Sequence, residues 1–129
     1  MIEPNSDLAK MKELGIRQVY IISPYEHELE TIMETRYFAA LQACGEMMME
    51  GFYALSVIVH CHPIAQCFSL PRGHKYWEGY DNSFIIKWAE AGYVLRFRNW
   101  YKSKGVKKDI GTFTKAHKSI YWSNHYDIP

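Results

Sequence analysis

The stretch Arg17-Gln-Val-Tyr-Ile-Ile-Ser-Pro-Tyr25 decides how the chain is read. Residues 17–22 are rich in β-branched and aromatic side chains and run apolar without strict alternation, as a strand covered on both faces does. Ser23-Pro24-Tyr25 ends that strand, because proline cannot continue a central ladder. Upstream, Ser6–Leu14 is predicted as a short helix with Leu8, Met11 and Leu14 on one face and Gly15 as its stop. Downstream, Leu29–Glu50 is the clearest helix. Leu29, Met33, Tyr37, Ala40, Leu41, Cys44 and Met48 recur close to a 3.6-residue period, and Gly51 ends it.

The remaining elements follow the same reading. Tyr53–His60 is predicted as a second strand, ended by a turn around Pro63, and Phe68–Gly73 as a loop. Lys75–Glu90 reads as a helix with an aromatic stripe of Trp77, Tyr80, Phe84 and Trp88, of a kind that usually packs into a core. Tyr93–Phe97 is a third strand, Asn99–Gly105 a polar loop, Val106–His117 a helix and Ser119–Trp122 a last strand. Helices and strands thus alternate. That order predicts an α/β, flavodoxin-like (Rossmann-like) three-layer fold with a parallel sheet of four to five strands and right-handed crossovers. Ligands of such sheets bind beyond the carboxyl ends of the strands.

The length of 129 residues suits one domain, with residues 1–16 as an N-terminal helical extension. A hydrophobic content of 48% excludes a disordered chain. Cys44, Cys61 and Cys67 are too few for a disulfide framework and point to a reducing compartment. The first fifteen residues carry Glu3, Asp7, Lys10, Lys12 and Glu13 and no apolar run, so a secretory signal is not expected and a cytoplasmic location is. The longest apolar stretches, Val19–Ile22 and Tyr53–Val59, are far below the ~20 residues of a membrane helix. Net charge is +1 but uneven: residues 1–50 hold nine acids and four bases, whereas residues 96–129 hold eight Lys/Arg and two acids. The basic third suits a small anion such as a phosphate, with Arg98, Lys104 and Lys107 placed for it; a near-neutral chain argues against nucleic acid as partner.

Chemistry is sought at the strand ends. The chain contains neither a Gly-x-Gly-x-x-Gly nor a Walker A sequence, so no dinucleotide cofactor is expected. His60 and His62, alternating at a strand end, share one face. They are either a metal pair or pocket-lining histidines, and the absence of further ligands at standard spacing leaves no metal expected. Ser103 is placed to cap the helix that begins near Gly105, whose free N–H groups and dipole favour an anion. Asp109 lies about one turn inside and should stay ionised among N–H donors and lysines, or it is simply an acid that stabilises its helix. Asp81, in Trp77-Glu-Gly-Tyr-Asp81, faces either the strand ends or solvent. Arg36 is either a substrate contact or half of a partly buried ion pair with a nearby Glu.

Four motifs occur in order: Val19-Tyr-Ile-Ile-Ser-Pro-Tyr25, Ser56-Val-Ile-Val-His-Cys-His-Pro-Ile-Ala65, Trp77-Glu-Gly-Tyr-Asp81 and Ser103-Lys-Gly-Val-Lys-Lys-Asp109. Together, over residues 17–123, they resemble the nucleoside 2-deoxyribosyltransferase-like superfamily, which includes deoxyribosyltransferases, nucleotide N-glycosidases and small bacterial and phage members. The resemblance implies a pocket shared between subunits of a homodimer or higher homo-oligomer. It implies that Ser23, Pro24 and Tyr25 line the base and sugar site and that Asp81 matches the acid that helps the base depart. Asp109 stands where the family has its nucleophilic Glu, and Ser123 or Asn124 reaches a neighbouring subunit's sugar or phosphate. The implied activity is cleavage or transfer at the N-glycosidic bond of a nucleoside or nucleoside 5′-monophosphate.

One departure stands out. Asp is a methylene shorter than Glu, and a displacement of about 1 Å can cost ~10²-fold in rate. The alternative is therefore a nucleotide-binding module with the same pocket and no turnover. A third reading makes Tyr121-Trp-Ser-Asn-His-Tyr126 an exposed aromatic patch for a partner protein or a second copy.

Overall fold

The computed structural model describes residues 6–129. The chain runs α1 (Ser6–Glu13), β1 (Gln18–Ile22), α2 (Glu30–Met49), β2 (Tyr53–Leu55), α3 (Val57–Phe68), α4 (His74–Lys87), β3 (Ala91–Arg96), a 3-10 turn (Trp100–Lys102), α5 (Lys104–Lys115) and β4 (Ile120–His125). The N-terminal helical extension is thus described from Ser6 onward, and residues 1–5 of it lie outside the described residues.

Four parallel strands form the sheet in the order β2-β1-β3-β4, with Val19 opposite Ala54, Ile21 opposite Tyr93 and Tyr93 opposite Tyr121. Both faces are covered, which makes the three layers of a flavodoxin-like α/β fold. Val19, Ile21, Tyr93 and Leu95 point to one face and pack with Leu8 and Met11 of α1 and Ala40, Ala43 and Met47 of α2. Tyr20, Ile22 and Val94 point to the other and pack with Val57 and Cys61 of α3, Ile85 of α4 and Val106 and Phe113 of α5. The pleat of a strand sorts neighbouring residues to opposite faces, so the unbroken apolar run of β1 needs both layers. Gly92 lets the second layer close on the sheet: a Cβ there would sit 3.1 Å from Ile22 Cδ1 and from the Phe113 ring.

The structure corrects the second strand. It stops at Leu55, and the expected strand Tyr53–His60 becomes the helix α3 from Val57 on. The Ser56 side chain accepts a hydrogen bond from Val59 N and starts that helix. Val57, Cys61 and Ala65 then fall on one buried stripe at i, i+4 and i+8, and this burial outweighs the strand preference of Val-Ile-Val. The chain therefore has two successive helices between β2 and β3 in place of one. The helix also separates His60 from His62, because residues two apart point to nearly opposite sides of a helix: His60 is exposed and His62 is buried.

Smaller corrections concern faces. Leu14 is 63% exposed and does not share the buried face of Leu8 and Met11; Gly15 (φ +73°) turns the chain away after α1. On α2 the buried residues are Met33, Ala40, Ala43, Cys44 and Met47, whereas Leu29, Leu41 and Met48 face outward. The expected aromatic patch at the C-terminal end is packed instead: Tyr121 is buried, Trp122 lies against Trp100 with ring centroids 5.3 Å apart, and Tyr126 meets Phe97 edge-on. No described helix is long and apolar enough to cross a membrane.

Candidate functional site

A cavity opens at the carboxyl end of β1. It lies where the chain leaves β1 toward α2 on one face of the sheet and β3 toward α5 on the other. Strand order reverses there, and the diverging loops leave a crevice. About 80 Å³ is open to the centre of a water molecule, and about 680 Å³ is free of atoms when the mouth is counted. Ser23, Tyr25 and Glu26 line it from the β1 end, Cys61 and His62 from α3, Asp81 from α4, and Ser103, Gly105 and Asp109 from the start of α5. Arg72 and His74 border it from the segment joining α3 to α4.

The Ser103 hydroxyl accepts from Val106 N and caps α5, as its position implied. Six residues on, Asp109 is only 8% exposed, so it is not a solvated helix acid. Burial pushes its carboxyl up to about 6, against the opposing pull of Lys108 and a hydrogen bond from Tyr20. Lys108 Nζ lies 3.5 Å from Asp109 Oδ1 and donates to Asn82 Oδ1 at 2.7 Å, which ties α5 to α4. On α4, Asp81 is pushed higher, to about 7, first by burial and then by the charge of Asp109, with Lys108 opposing. The two carboxyl groups line one cavity and the charge of Asp109 pushes Asp81 up, so the pair loses its protons in two coupled steps. Tyr20, bonded to Asp109, is held well above the usual phenol range by burial and by both acids.

Ser23 and Asp81 both line the cavity, and each has a buried side-chain oxygen, Ser23 Oγ and Asp81 Oδ1, with no hydrogen-bond partner among the described residues. Buried polar groups are nearly always paired in folded proteins, so these two are exceptions within one wall.

Opposite the acids, the buried His62 sits between Tyr25 and Glu34. Its Nδ1 is 2.5 Å from the Tyr25 hydroxyl, and its Nε2 is 2.8 Å from Glu34 Oε2. At the mouth, Arg72 pairs with Glu30, and His74 Nδ1 lies 3.1 Å from Glu26 Oε2. Both pairs draw the segment between α3 and α4 toward the loop that follows β1.

The other expected residues fall elsewhere. Pro24 and Arg36 line a shallow depression beside the cavity, with Lys102 and Lys104; the two share Glu26 and Ser103. Among the described residues Arg36 makes no ion pair with a Glu. Its Nε and Nη2 donate to the main-chain oxygen of Pro129 at 3.0 and 2.8 Å, and its Nη1 donates to Glu26 O at 2.9 Å. His60 does not line the cavity. Ser123 does not either: its hydroxyl accepts from Arg96 N and donates to Asn124 O within the bulged β3–β4 edge. Asn124 is exposed at the end of β4. Arg98 pairs with Asp127 on the surface. Among the described residues no three His, Cys, Asp or Glu side chains cluster to hold a metal ion.

Sequence reasoning missed Tyr20, Glu34, Arg72, His74 and the specific role of Lys108. Tyr20 carried a usable signal, since alternation places it on the α5 face of β1. Glu34 carried none, being one of several acids on α2.

No curated protein matches the chain. Residues 17–124 match the family described as "Domain of unknown function (DUF1937)", and with the parallel sheet and the two-carboxylate cavity contained in that span, the chain belongs to this family.

Proposed function

We propose that the cavity takes a nucleoside or nucleoside 5′-monophosphate and cleaves it, or transfers its sugar, at the N-glycosidic bond. One observation carries this reading: Asp81 and Asp109, from separate helices, line one cavity, both pushed up by burial and Asp81 further by the charge of Asp109. Bond cleavage of this kind passes through an oxocarbenium-like centre that needs a proton for the departing base and a negative charge beside the sugar. Two acids that repel across one cavity lose their protons in separate steps, and in this reading the retained proton is on Asp81, which the charge of Asp109 pushes up. Asp81 donates its proton to the base as the C1′–N bond breaks, and Asp109 stabilises or captures the sugar cation. The order of the four motifs, which resembles that of the nucleoside 2-deoxyribosyltransferase-like superfamily, supports these roles. In the adjoining depression Lys102 and Lys104, which stand there beside Glu26 and Glu28, support a 5′-phosphate. A homo-oligomer, in which Asn124 of one copy reaches the sugar or phosphate held by another, and a cytoplasmic setting suited to three free cysteines belong to the same reading.

A second reading has its own support. The Asp109 carboxyl already engages Tyr20 and Lys108, and its side chain is the shorter acid, so the pocket could hold a nucleotide without turnover. Free-base release from a panel of nucleosides and monophosphates, followed by chromatography beside calorimetric binding, separates the two. Release by the wild type that is lost in Asp109→Ala supports the enzyme. Tight binding without release retires it in favour of the binding module, and neither binding nor release retires both.

A further inference from the structure

His62 links the cavity to the outer side of α2. Its imidazole is 2% exposed and stacks on Tyr37 with ring centroids 4.3 Å apart, so its orientation is locked. Tyr25 meets Nδ1 at 2.5 Å from the cavity side. Glu34 meets Nε2 at 2.8 Å from the other side, its own side chain 38% exposed and the same oxygen bonded by Gln66 Nε2 at 3.1 Å.

The polarity of this chain of bonds follows from the donors available. A carboxylate only accepts, so the hydrogen lies on Nε2. In the neutral imidazole Nδ1 is then bare, and Tyr25 must donate to it. Arg72 also hydrogen-bonds the Tyr25 oxygen, and its remaining lone pair is left for the cavity. Burial pushes this phenol up to about 12, with Arg72 pulling it down and Glu30 and Glu34 pushing it further up, so at neutral pH Tyr25 holds its proton and offers an acceptor to the cavity. A hydroxyl aimed at an imidazole that a carboxylate braces from behind is the arrangement by which serine hydrolases pass a proton to histidine. Here a phenol occupies the hydroxyl position, on the wall of a cavity that already holds two acids.

We propose that Tyr25, His62 and Glu34 form a general-base relay that takes the proton from the water, or other hydroxyl, that attacks the sugar. The proposal rests on the glycosidic reading and adds to it the group that activates the acceptor. When the acceptor oxygen bonds to C1′, its O–H bond breaks and the proton goes to the Tyr25 oxygen. The proton of Tyr25 moves to His62 Nδ1 in the same step, and the imidazolium is held against Glu34. Once products leave, the proton returns through Tyr25 to bulk water, and bulk water reprotonates Asp81, so hydrolysis proceeds with no net proton change. Tyr25 is the catalytic residue of this step; His62 and Glu34 act through it as positioning residues. The charged groups that face the relay are Glu30 and Glu34 of α2 and Arg72 after α3. Arg72 is paired with Glu30, which leaves Glu34 as the net charge behind the imidazole.

The test combines base release measured across pH for the wild type, Tyr25→Phe, Glu34→Gln and the double variant with ¹⁵N NMR of His62. Glu34→Gln preserves shape at a partly exposed position, so a folded protein is available whatever becomes of the tyrosine variant. The relay predicts a kcat loss of at least ~10²-fold in Tyr25→Phe and of roughly 10-fold in Glu34→Gln, with KM nearly unchanged. It predicts a double variant no slower than Tyr25→Phe alone. In the wild type Nε2 carries the hydrogen and Nδ1 is bare. An unchanged kcat in Glu34→Gln, single effects that multiply in the double variant, or a hydrogen on Nδ1 overturns the relay while leaving the glycosidic reading in place. If the wild type releases no base, it is the glycosidic reading that fails. The relay, which takes its substrate from that reading, then fails with it, whichever nitrogen carries the hydrogen.

Discussion

Asp81→Asn tests the site through stability before any substrate is known. The Asp81 carboxyl titrates near 7 in the folded chain against an ordinary value of 3.8. Because the folded value is the higher one, the contribution of this group to stability is complete below about pH 4 and is lost as pH rises through 7. The gap corresponds to roughly 4 kcal/mol at 1.36 kcal/mol per pH unit. The partial exposure of Asp81 and residual compactness of the unfolded chain reduce this to about 2–3 kcal/mol. The amide keeps the shape and removes the charge. The stability of Asp81→Asn relative to wild type should therefore grow by about 2–3 kcal/mol between pH 4 and pH 8, in favour of the variant. Urea unfolding followed by tryptophan fluorescence at intervals of one pH unit reads this directly. Base release should fall in the same variant by ~10²–10⁴-fold, since an amide has no proton to give. A variant whose stability runs parallel to wild type across that range refutes the reasoning: Asp81 would then be solvated, and no general acid would be available near neutrality.

Three further outcomes follow from the packing and the charges. Asp109→Asn removes a negative charge that pushes Asp81 up, so carboxyl ¹³C NMR should find the Asp81 midpoint below about 7. Lys118 Nζ donates to Ile85 O, Ile86 O and Ala89 O at 2.6, 2.8 and 2.7 Å, closing the C-terminal end of α4. Lys118→Met should cost about 2–4 kcal/mol in denaturant unfolding, since charged hydrogen bonds and the helix dipole are lost together. Gly92→Ala places a methyl 3.1 Å from Ile22 and Phe113, and should lower stability by about 1–3 kcal/mol, read as a reduced thermal midpoint.

Where local chemistry and burial agree, the fold was legible. The apolar run of residues 17–22, the break at Ser23-Pro24 and the serine before Lys104-Gly105 each specify one conformation, and the structure has β1, its end and the cap of α5 there. Two features compete within Ser56-Val-Ile-Val-His. The β-branched run favours a strand, whereas Ser56 offers a cap and the stripe Val57, Cys61, Ala65 favours a helix. The outcome depends on the layer above β1 needing cover, which no window of sequence contains. The faces of α2 were illegible for a related reason. That helix is apolar nearly all round, so periodicity shows a helix without showing which side meets the sheet.

The same segment controls how much of the site could be read. Taken as a strand, residues 53–60 put His60 and His62 side by side at a ladder end, and the pair then resembles metal ligands. Taken as a helix, they diverge, and only His62 turns inward, to partners 37 and 28 residues earlier in the chain. No spacing rule finds Glu34 or Tyr25 from His62, because each comes from a different element and they converge only through the crossover of β1 and α2 over α3. Asp81 and Asp109 were found by motif order, yet their burial and mutual repulsion are properties of α4 and α5 packed side by side. The glycosidic reading therefore depends on that packing more than on either acid. A substitution that loosens the seam between the two helices without touching a carboxylate, such as Asn82→Ala, which removes one of the three acceptors of Lys108, should lower the Asp81 titration and base release together. A loss of release with the Asp81 midpoint unmoved would mean that the split between the carboxylates is incidental to the chemistry.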